Sequence, residues 1–328
     1  MPSKRKKKVA YLFGAGATHA ELVALNPDLV PETEGLLISN VSPRVIKEAS
    51  TDAKYIRGLE TVSATSGQLK NIELLISLIE NAKMSDWDDK TRRLKELVQA
   101  DIENILTPYK RGRFYLHRAL FELHQRRATK EVEEIVGFIS LNYDDVLDRA
   151  YNESIGAPNY SFALDDDSAS IPLLKLHGSF NWHNARIRGQ RRRIEIIPLG
   201  SAKTYLHAPY VFIWTRALEV LINCDALRII GCSLSPNDVH LIDLLFKAHL
   251  ERREPFDIEV IDFEETGESI RNNYGFFPQI RTLSKIENIL IPDTRTTNPF
   301  KHWLRYKSLD MLGRASVRRL SYLRRVLN

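Results

Sequence analysis

The fold is decided by residues 9–18, which read Val-Ala-Tyr-Leu-Phe-Gly-Ala-Gly-Ala-Thr. The first five residues are apolar and predict a short buried strand, and a helix is predicted to begin directly after it. Gly14 and Gly16 at such a turn allow the backbone to approach a phosphate, and the helix N-terminus offers N–H groups and a positive dipole end. Position 19 is His19, where the dehydrogenase fingerprint has its third glycine, so an ordinary hydride-transfer domain is disfavoured.

Four more apolar stretches are predicted to be strands, and each is followed by a polar or glycine-containing turn. They are residues 135–141, 173–176, 226–230 and 258–262. Helical patterns lie between them, and strands that alternate with helices are typical of a parallel sheet covered on both faces. The sequence therefore predicts an α/β fold with a Rossmann-like parallel sheet.

A helix-rich insertion is predicted at about residues 20–130, between the first two strands. Within it, residues 69–80 carry apolar side chains at helical spacing, whereas residues 26–66 are less regular because of prolines such as Pro43. We expect one domain over residues 9–290, including this insertion.

Residues 291–328 are predicted to be a separate, basic helical C-terminal segment. Four apolar residues recur there at helical spacing, with arginines between them: Val317, Leu320, Leu323 and Leu327. Two interpretations stay open. Either this helix docks on its own domain, or it binds a partner protein or a second copy of the chain.

Composition and charge predict a cytoplasmic protein that does not enter membranes. Hydrophobic residues make up 43% and charged residues 27%, which are ordinary values for a soluble globular protein. No apolar run is long enough to span a bilayer, and no apolar segment of a signal peptide follows the basic N-terminus. The net charge of +5 is concentrated at residues 4–8 and 300–328, so the body is acidic and does not resemble a nucleic-acid-binding domain. Contact of the basic ends with nucleic acid stays open as an indirect role.

The two cysteines, Cys224 and Cys232, are predicted to be buried free thiols. Two cysteines cannot supply the four thiolates of a structural zinc site of that kind. The sequence predicts no metal site.

The turns after the predicted strands are expected to converge on one crevice, because ligands of open parallel sheets bind beyond the carboxyl ends of the strands. Two residues in these turns are candidates for chemistry. Asn142 is either a catalytic amide or the N-cap of the following helix. His177 is either a base that accepts a proton from a ribose hydroxyl or a water, or a histidine satisfied within its turn.

Four motifs, taken in order, resemble those of sirtuin-like proteins. They are Gly-Ala-Gly-Ala-Thr at 14–18, Leu-Asn-Tyr-Asp at 141–144, Leu-Lys-Leu-His-Gly-Ser at 174–179 and Gly-Cys-Ser-Leu at 231–234. Asn71-Ile72-Glu73 also resembles a recurring element of the bacterial members. The ordered set is similar to the sirtuin-like NAD hydrolases of bacterial anti-phage defence, and the resemblance covers roughly residues 9–265.

The resemblance implies an NAD+ site and a role for each matching residue. Asn142 would hold the nicotinamide ribose and position the attacking water, and His177 would be the catalytic base. Asp144 would help to order the site. The pyrophosphate would be lined by Gly14, Ala15, Gly16 and Thr18, and the adenosine end would face Gly231, Ser233 and Asp262.

The chain departs from classical protein deacylases, whose small zinc module is built on four cysteines. This departure favours water as the acceptor, so the expected activity is hydrolysis of NAD+ to nicotinamide and ADP-ribose, with NAD+ as substrate and no metal. Because constant NAD+ depletion would poison the host, the enzyme is expected to be controlled by homo-oligomerisation or by a partner protein of the same defence system. The alternatives are ADP-ribosyl transfer, cyclisation or deacylation, and a sensor or interaction module that binds NAD+ or ADP-ribose without cleaving it.

Overall fold

Six strands form the sheet at the centre of the structure. They are β1 (Lys7–Phe13), β2 (Glu133–Ser140), β3 (Leu173–Lys175), β4 (Ala226–Ile230), β5 (Asp257–Ile261) and β6 (Ile280–Thr282). The computed structural model describes residues 5–26, 36–49, 72, 75–76, 87–109, 114–163, 170–184, 205–234, 238–255, 257–262, 272–275, 280–282 and 298–313. The five strands predicted from the sequence are all present, and β6 was not predicted.

The strand order is β3-β2-β1-β4-β5-β6, and every neighbouring pair is parallel. Leu12 of β1 lies opposite Ile139 of β2 on one side and Ile229 of β4 on the other. This order confirms the predicted Rossmann-like parallel sheet. The direction of strand succession reverses between β1 and β4, so a crevice is expected beyond their carboxyl ends.

Helices cover both faces of the sheet. The described ones are α1 (Ala15–Leu25), α2 (Ile38–Ala49), α3 (Trp87–Leu106), α4 (Leu116–Gln125), α5 (Arg127–Val132), α6 (Val146–Ser154), α7 (Tyr210–Asn223), α8 (Val239–Glu251) and α9 (Pro299–Leu312). Alternate side chains of β1 point to opposite faces, as they must in an extended strand. Tyr11 and Phe13 pack with α1, α4, α6 and α9, whereas Ala10 and Leu12 pack with α7 and α8.

The predicted insertion contains its own small apolar core between α2 and α3. Ile72, Leu75 and Ile76, which are helical, contribute to it from the region that the sequence predicted to be amphipathic. Pro43, one of the prolines that make the pattern of residues 26–66 irregular, lies inside α2. Burial of Val41, one of several α2 residues that face α3, offsets the cost of a proline inside the helix.

The described part of the C-terminal segment docks on the body of the chain. In α9, Phe300, Trp303 and Leu304 are buried in the same core as Tyr11 and Phe13. The amphipathic pattern that ends at Leu327 lies outside the described residues, as do Asn71 and Glu73. Among the helices that the structure describes, none is both long enough and apolar enough to cross a membrane.

Candidate active site

Two glycine turns meet at the crevice between β1 and β4. The Gly14 N–H donates to Ile230 O at 3.0 Å, and the Gly16 N–H donates to Gly231 O at 2.9 Å. The Gly231 N–H in turn donates to Ile261 O at 2.8 Å. The turns after β1 and β4 are therefore hydrogen-bonded to each other, and the β4 turn is also fixed to β5.

This contact requires glycine at both turns. A Cβ atom on Gly231 would lie 2.1 Å from the Ala17 nitrogen, and one on Gly14 would lie 2.4 Å from Gly231 O. Gly231 also has a φ of +63°, a conformation that favours glycine. The sequence predicts that Gly14 and Gly16 let the backbone approach a phosphate, which stays a prediction; the structure shows that the glycines also let the β1 and β4 turns pack against each other. Ala15, which lies between Gly14 and Gly16, is exposed at the N-terminus of α1.

The Asn142 side chain is held by the β1 turn. Its Nδ2 donates to Gly14 O and to Thr18 Oγ1, both at 3.0 Å, and the residue is only 9% exposed. Because both bonds use the amide nitrogen, Oδ1 is the amide atom that is left to accept a hydrogen bond from a ligand or a water. Asn142 does not cap α6, because Asp145 occupies the N-cap position. The capping alternative, which allowed an Asn or an Asp of this turn, therefore applies to Asp145 and not to Asn142.

Thr18 connects Asn142 to Asp144. The Thr18 hydroxyl accepts from the Asn142 amide and donates to Asp144 Oδ2 at 3.0 Å. The second carboxylate oxygen, Oδ1, accepts from the Val146 N–H at 3.0 Å. Burial raises the pKa of the Asp144 carboxyl, and the nearby Lys175 charge opposes that rise. Asn142, Thr18 and Asp144 thus form one chain of buried side-chain hydrogen bonds, here called the relay, which connects α1 to the turn after β2.

Replacing Thr18 with valine is expected to lower the free energy of unfolding by about 1–3 kcal/mol, because Asp144 Oδ2 loses its donor while it stays buried. Thr18→Ser keeps the hydroxyl and is the matched control, so it is expected to be much closer to the wild type. Urea unfolding of the two variants measures the difference. A Thr18→Val protein as stable as the wild type, together with a loss in Thr18→Ser, would show that the methyl group, and not the hydroxyl, stabilises this turn.

His177 lies on the turn after β3, next to the Asn142 turn. Its Nδ1 lies 3.2 Å from Leu141 O, and a carbonyl oxygen can only accept, so Nδ1 carries the hydrogen. In the neutral ring, Nε2 is then the basic nitrogen. The Leu176 carbonyl accepts from Trp214 Nε1 at 3.0 Å, which fixes the end of β3 just before the histidine.

The aromatic ring of Tyr143 links His177 to the helical insertion. It lies 5.9 Å from the His177 ring and is stacked on Phe180 at 5.6 Å. Tyr143 and Phe180 both belong to the apolar core that α2 and α3 form. Neither residue was predicted to belong to the site, because nothing in the local pattern shows that the insertion packs against the β2 and β3 turns.

Ser233 and Asp262 lie farther along the same edge of the sheet. Ser233 is exposed, and its carbonyl accepts from Asn273 Nδ2 at 2.8 Å. Asp262 follows β5 directly and is half-buried. Hydrogen bonds thus join Gly16 to Gly231 and Gly14 to the Asn142–Thr18–Asp144 relay, and the roles of all these residues toward a ligand stay predictions.

The cysteines are buried and free, as the sequence predicted. Burial raises the pKa of Cys224 and of Cys232 to about 12, so neither thiol is ionised near neutral pH. Within the ranges that the structure describes, no group of three or more His, Cys, Asp and Glu side chains could hold a metal ion.

Comparison with known proteins relates the centre of the chain to one family. Residues 136–258 match the model of the SIR2-like domain, and this stretch contains Asn142, His177 and Gly231. No curated protein matches the chain significantly. The chain is therefore similar to SIR2-like domains over a region that holds half of the candidate site residues, including Asn142 and His177.

Several solved Sir2 structures also match along nearly the whole chain. One Sir2 enzyme is 13% identical and covers 94% of this chain and 92% of its own, with a TM-score of 0.38. Sir2 bound to an acetylated peptide is 11% identical over 91% of this chain and 90% of its own, with a TM-score of 0.37. Sir2 with a p53 peptide and NAD+ is 12% identical over 86% of this chain and 91% of its own, with a TM-score of 0.38.

Proposed function

We propose that this protein cleaves the bond between nicotinamide and ribose in NAD+ and transfers the ADP-ribosyl group to water. The observation that carries the proposal is the fixed Asn142 amide, whose nitrogen is held by Gly14 and Thr18 while its oxygen is left for a ligand. The adjacent His177 has Nε2 as its basic nitrogen. Similarity to the SIR2-like domain supports an NAD-dependent enzyme.

For this reaction the protein has to position NAD+ and the attacking water and to supply a base. Nicotinamide in NAD+ is a pyridinium, so it leaves with the electron pair of the broken C1′–N bond and becomes neutral. The ribose develops oxocarbenium character, which a carbonyl dipole stabilises. Asn142 Oδ1 supplies such a dipole and orients the attacking water or a ribose hydroxyl. As the water oxygen bonds to C1′, His177 Nε2 takes the released proton.

The remaining site residues are proposed to hold the rest of NAD+. The N-terminus of α1 offers its positive dipole end to the pyrophosphate, and Ala15 is its exposed residue. Gly14, Gly16 and Thr18 then shape this end of the site through the contacts described above. For the adenosine end we propose Gly231, Ser233 and Asp262, since all three follow β4 or β5 at the same sheet edge.

Water is the proposed acceptor because the chain lacks the cysteines of the deacylase zinc module: it has two in 328 residues. By its resemblance to anti-phage NAD hydrolases, we propose that the protein depletes NAD+ in the cytoplasm of an infected cell. Control by a second copy or by a partner protein would then be needed. A partner that binds the helical insertion would act on the His177 turn through Tyr143, which packs in the insertion core and lies beside the His177 ring.

Product analysis tests the proposed reaction. The purified protein is incubated with NAD+, with and without an acetylated peptide, and the products are separated by chromatography. We expect nicotinamide and ADP-ribose in equal amounts, independent of the peptide. Acetyl-ADP-ribose that forms only with the peptide would show deacylation, and a cyclic product would show cyclisation. Tight NAD+ binding without any cleavage, also in the presence of cell extract from infected cells, would show a sensor instead.

A further inference from the structure

A fully buried lysine lies beneath the candidate active site. Lys175 ends β3 two residues before His177, and its side chain has no exposed surface. Its Nζ donates to the backbone carbonyl of Asp144 and, at 2.8 Å, to Asp148 Oδ2. The sequence shows this lysine between Leu174 and Leu176 in an apolar strand, where a charged side chain is costly unless it is paired.

The partner carboxylate has other donors besides the lysine. Asp148 is 3% exposed, and its Oδ1 accepts from the Tyr160 hydroxyl at 2.7 Å and from Asn181 Nδ2 at 3.5 Å. Burial and the Asp148 charge raise the pKa of Tyr160, so its hydroxyl stays a donor. Asp148 is thus anchored without Lys175, whereas the Asp144 carbonyl accepts from Lys175 Nζ.

A buried ion pair is weak evidence for stability, because desolvation of the two charges cancels most of their attraction. The contact that distinguishes Lys175 from an apolar residue is its bond to the Asp144 backbone, in the turn that carries Asn142. Asp144 also receives the Thr18 hydroxyl, and Thr18 receives the Asn142 amide. A shift of the Asp144 backbone would therefore move the Asn142 amide.

We propose that Lys175 is a positioning residue for the cleavage reaction: by holding the Asp144 carbonyl it fixes the turn on which Asn142 presents its amide oxygen to the ligand. This inference rests on the proposed function. The lysine acts through Asn142 and does not contact the reacting atoms. Its effect is therefore expected in kcat, since a small displacement of a positioned group costs up to about 10²-fold in rate while binding contacts elsewhere are kept.

Three variants test this role: Lys175→Met, Asp148→Asn and the double variant. Lys175→Met leaves the Asp148 charge buried without its cation, so we expect the Tm to fall by about 5–10 °C. The double variant removes both charges and keeps the Tyr160 and Asn181 donors, so its Tm is expected to return close to that of the wild type. Asp148→Asn alone leaves the Lys175 charge buried without its carboxylate, so its Tm is also expected to fall; because it keeps the Lys175 bond to the Asp144 carbonyl, it is the matched control for kcat and for exchange at that turn.

The double variant separates positioning from stability. We expect it to be stable but to have a kcat lowered by about 10-fold to 100-fold with little change in KM, whereas Asp148→Asn stays close to the wild type. Hydrogen–deuterium exchange of residues 141–145 is expected to rise in the double variant and not in Asp148→Asn. A double variant with wild-type kcat and unchanged exchange would overturn the proposal. A wild type that never cleaves NAD+ would refute the proposed function, and the exchange comparison would then decide the role of Lys175 by itself.

Discussion

His177→Ala is expected to lower kcat for NAD+ hydrolysis by about 10²-fold to 10⁴-fold, the range that general acid–base catalysis contributes. The physical reason is the loss of Nε2, which the bond from Nδ1 to Leu141 O leaves as the basic ring nitrogen. NAD+ affinity is expected to change little, because the histidine is proposed to act on the attacking water and not to hold the dinucleotide. Steady-state release of nicotinamide and a separate binding titration measure the two effects.

His177→Gln is the matched control for this prediction. Glutamine can still donate to Leu141 O and fill part of the space beside Tyr143, but it has no basic nitrogen. We therefore expect Gln to lose as much activity as Ala while it melts closer to the wild-type temperature. A glutamine variant that keeps most of the activity would show that the imidazole shapes the turn and that another group removes the proton.

Gly231→Ala is expected to lower the free energy of unfolding by about 3–5 kcal/mol. One part is the positive φ of +63°, which costs a residue other than glycine about 1–3 kcal/mol. The larger part is the new Cβ atom, which would lie 2.1 Å from the Ala17 nitrogen and 2.3 Å from the Gly16 carbonyl carbon. The two turns must separate to admit it, so NAD+ binding is expected to weaken with stability.

Gly313→Ala separates the cost of the positive φ from the cost of the steric clash of the new Cβ atom. Gly313 has a similar φ of +73°, but no atom of the described residues lies within 4 Å of a Cβ atom placed there. Its substitution is expected to cost only the conformational part, about 1–3 kcal/mol, and to leave NAD+ binding unchanged. Denaturant unfolding of both variants gives the difference. Equal losses at the two positions would contradict the close approach of the β1 and β4 turns.

The sheet could be predicted from the sequence because its strands are continuous apolar runs that end in polar turns. β1 and β4 are buried on both faces of the sheet, so their sequences are nearly continuous apolar runs that are easy to recognise as strands. β6 was missed because its three residues, Ile280–Thr282, include Arg281 and Thr282 and so form no apolar run, unlike the equally short β3. In α2, Pro43 makes the local pattern irregular, but packing of Val41 against the insertion core overrides the local preference.

The sequence could predict which residues lie near the candidate site, but not which of their atoms are in contact. The turns after parallel strands must meet at one edge of the sheet, so Asn142 and His177 could be expected near each other. Which atoms pair across those turns depends on residues far apart in the chain, such as Thr18 with Asp144. For the same reason the pattern did not reveal that Gly16 bonds to Gly231, or that Lys175 reaches the Asp144 carbonyl.

The central claim is that the Asn142 turn and His177 form a site that cleaves NAD+. The most direct test is nicotinamide release from NAD+ by the purified wild-type protein beside the Asn142→Ala and His177→Ala proteins, with Tm measured for all three. We expect release by the wild type and a loss of at least about 10²-fold in both variants, with all three proteins folded. Release at the wild-type rate by a folded Asn142→Ala protein would contradict the claim.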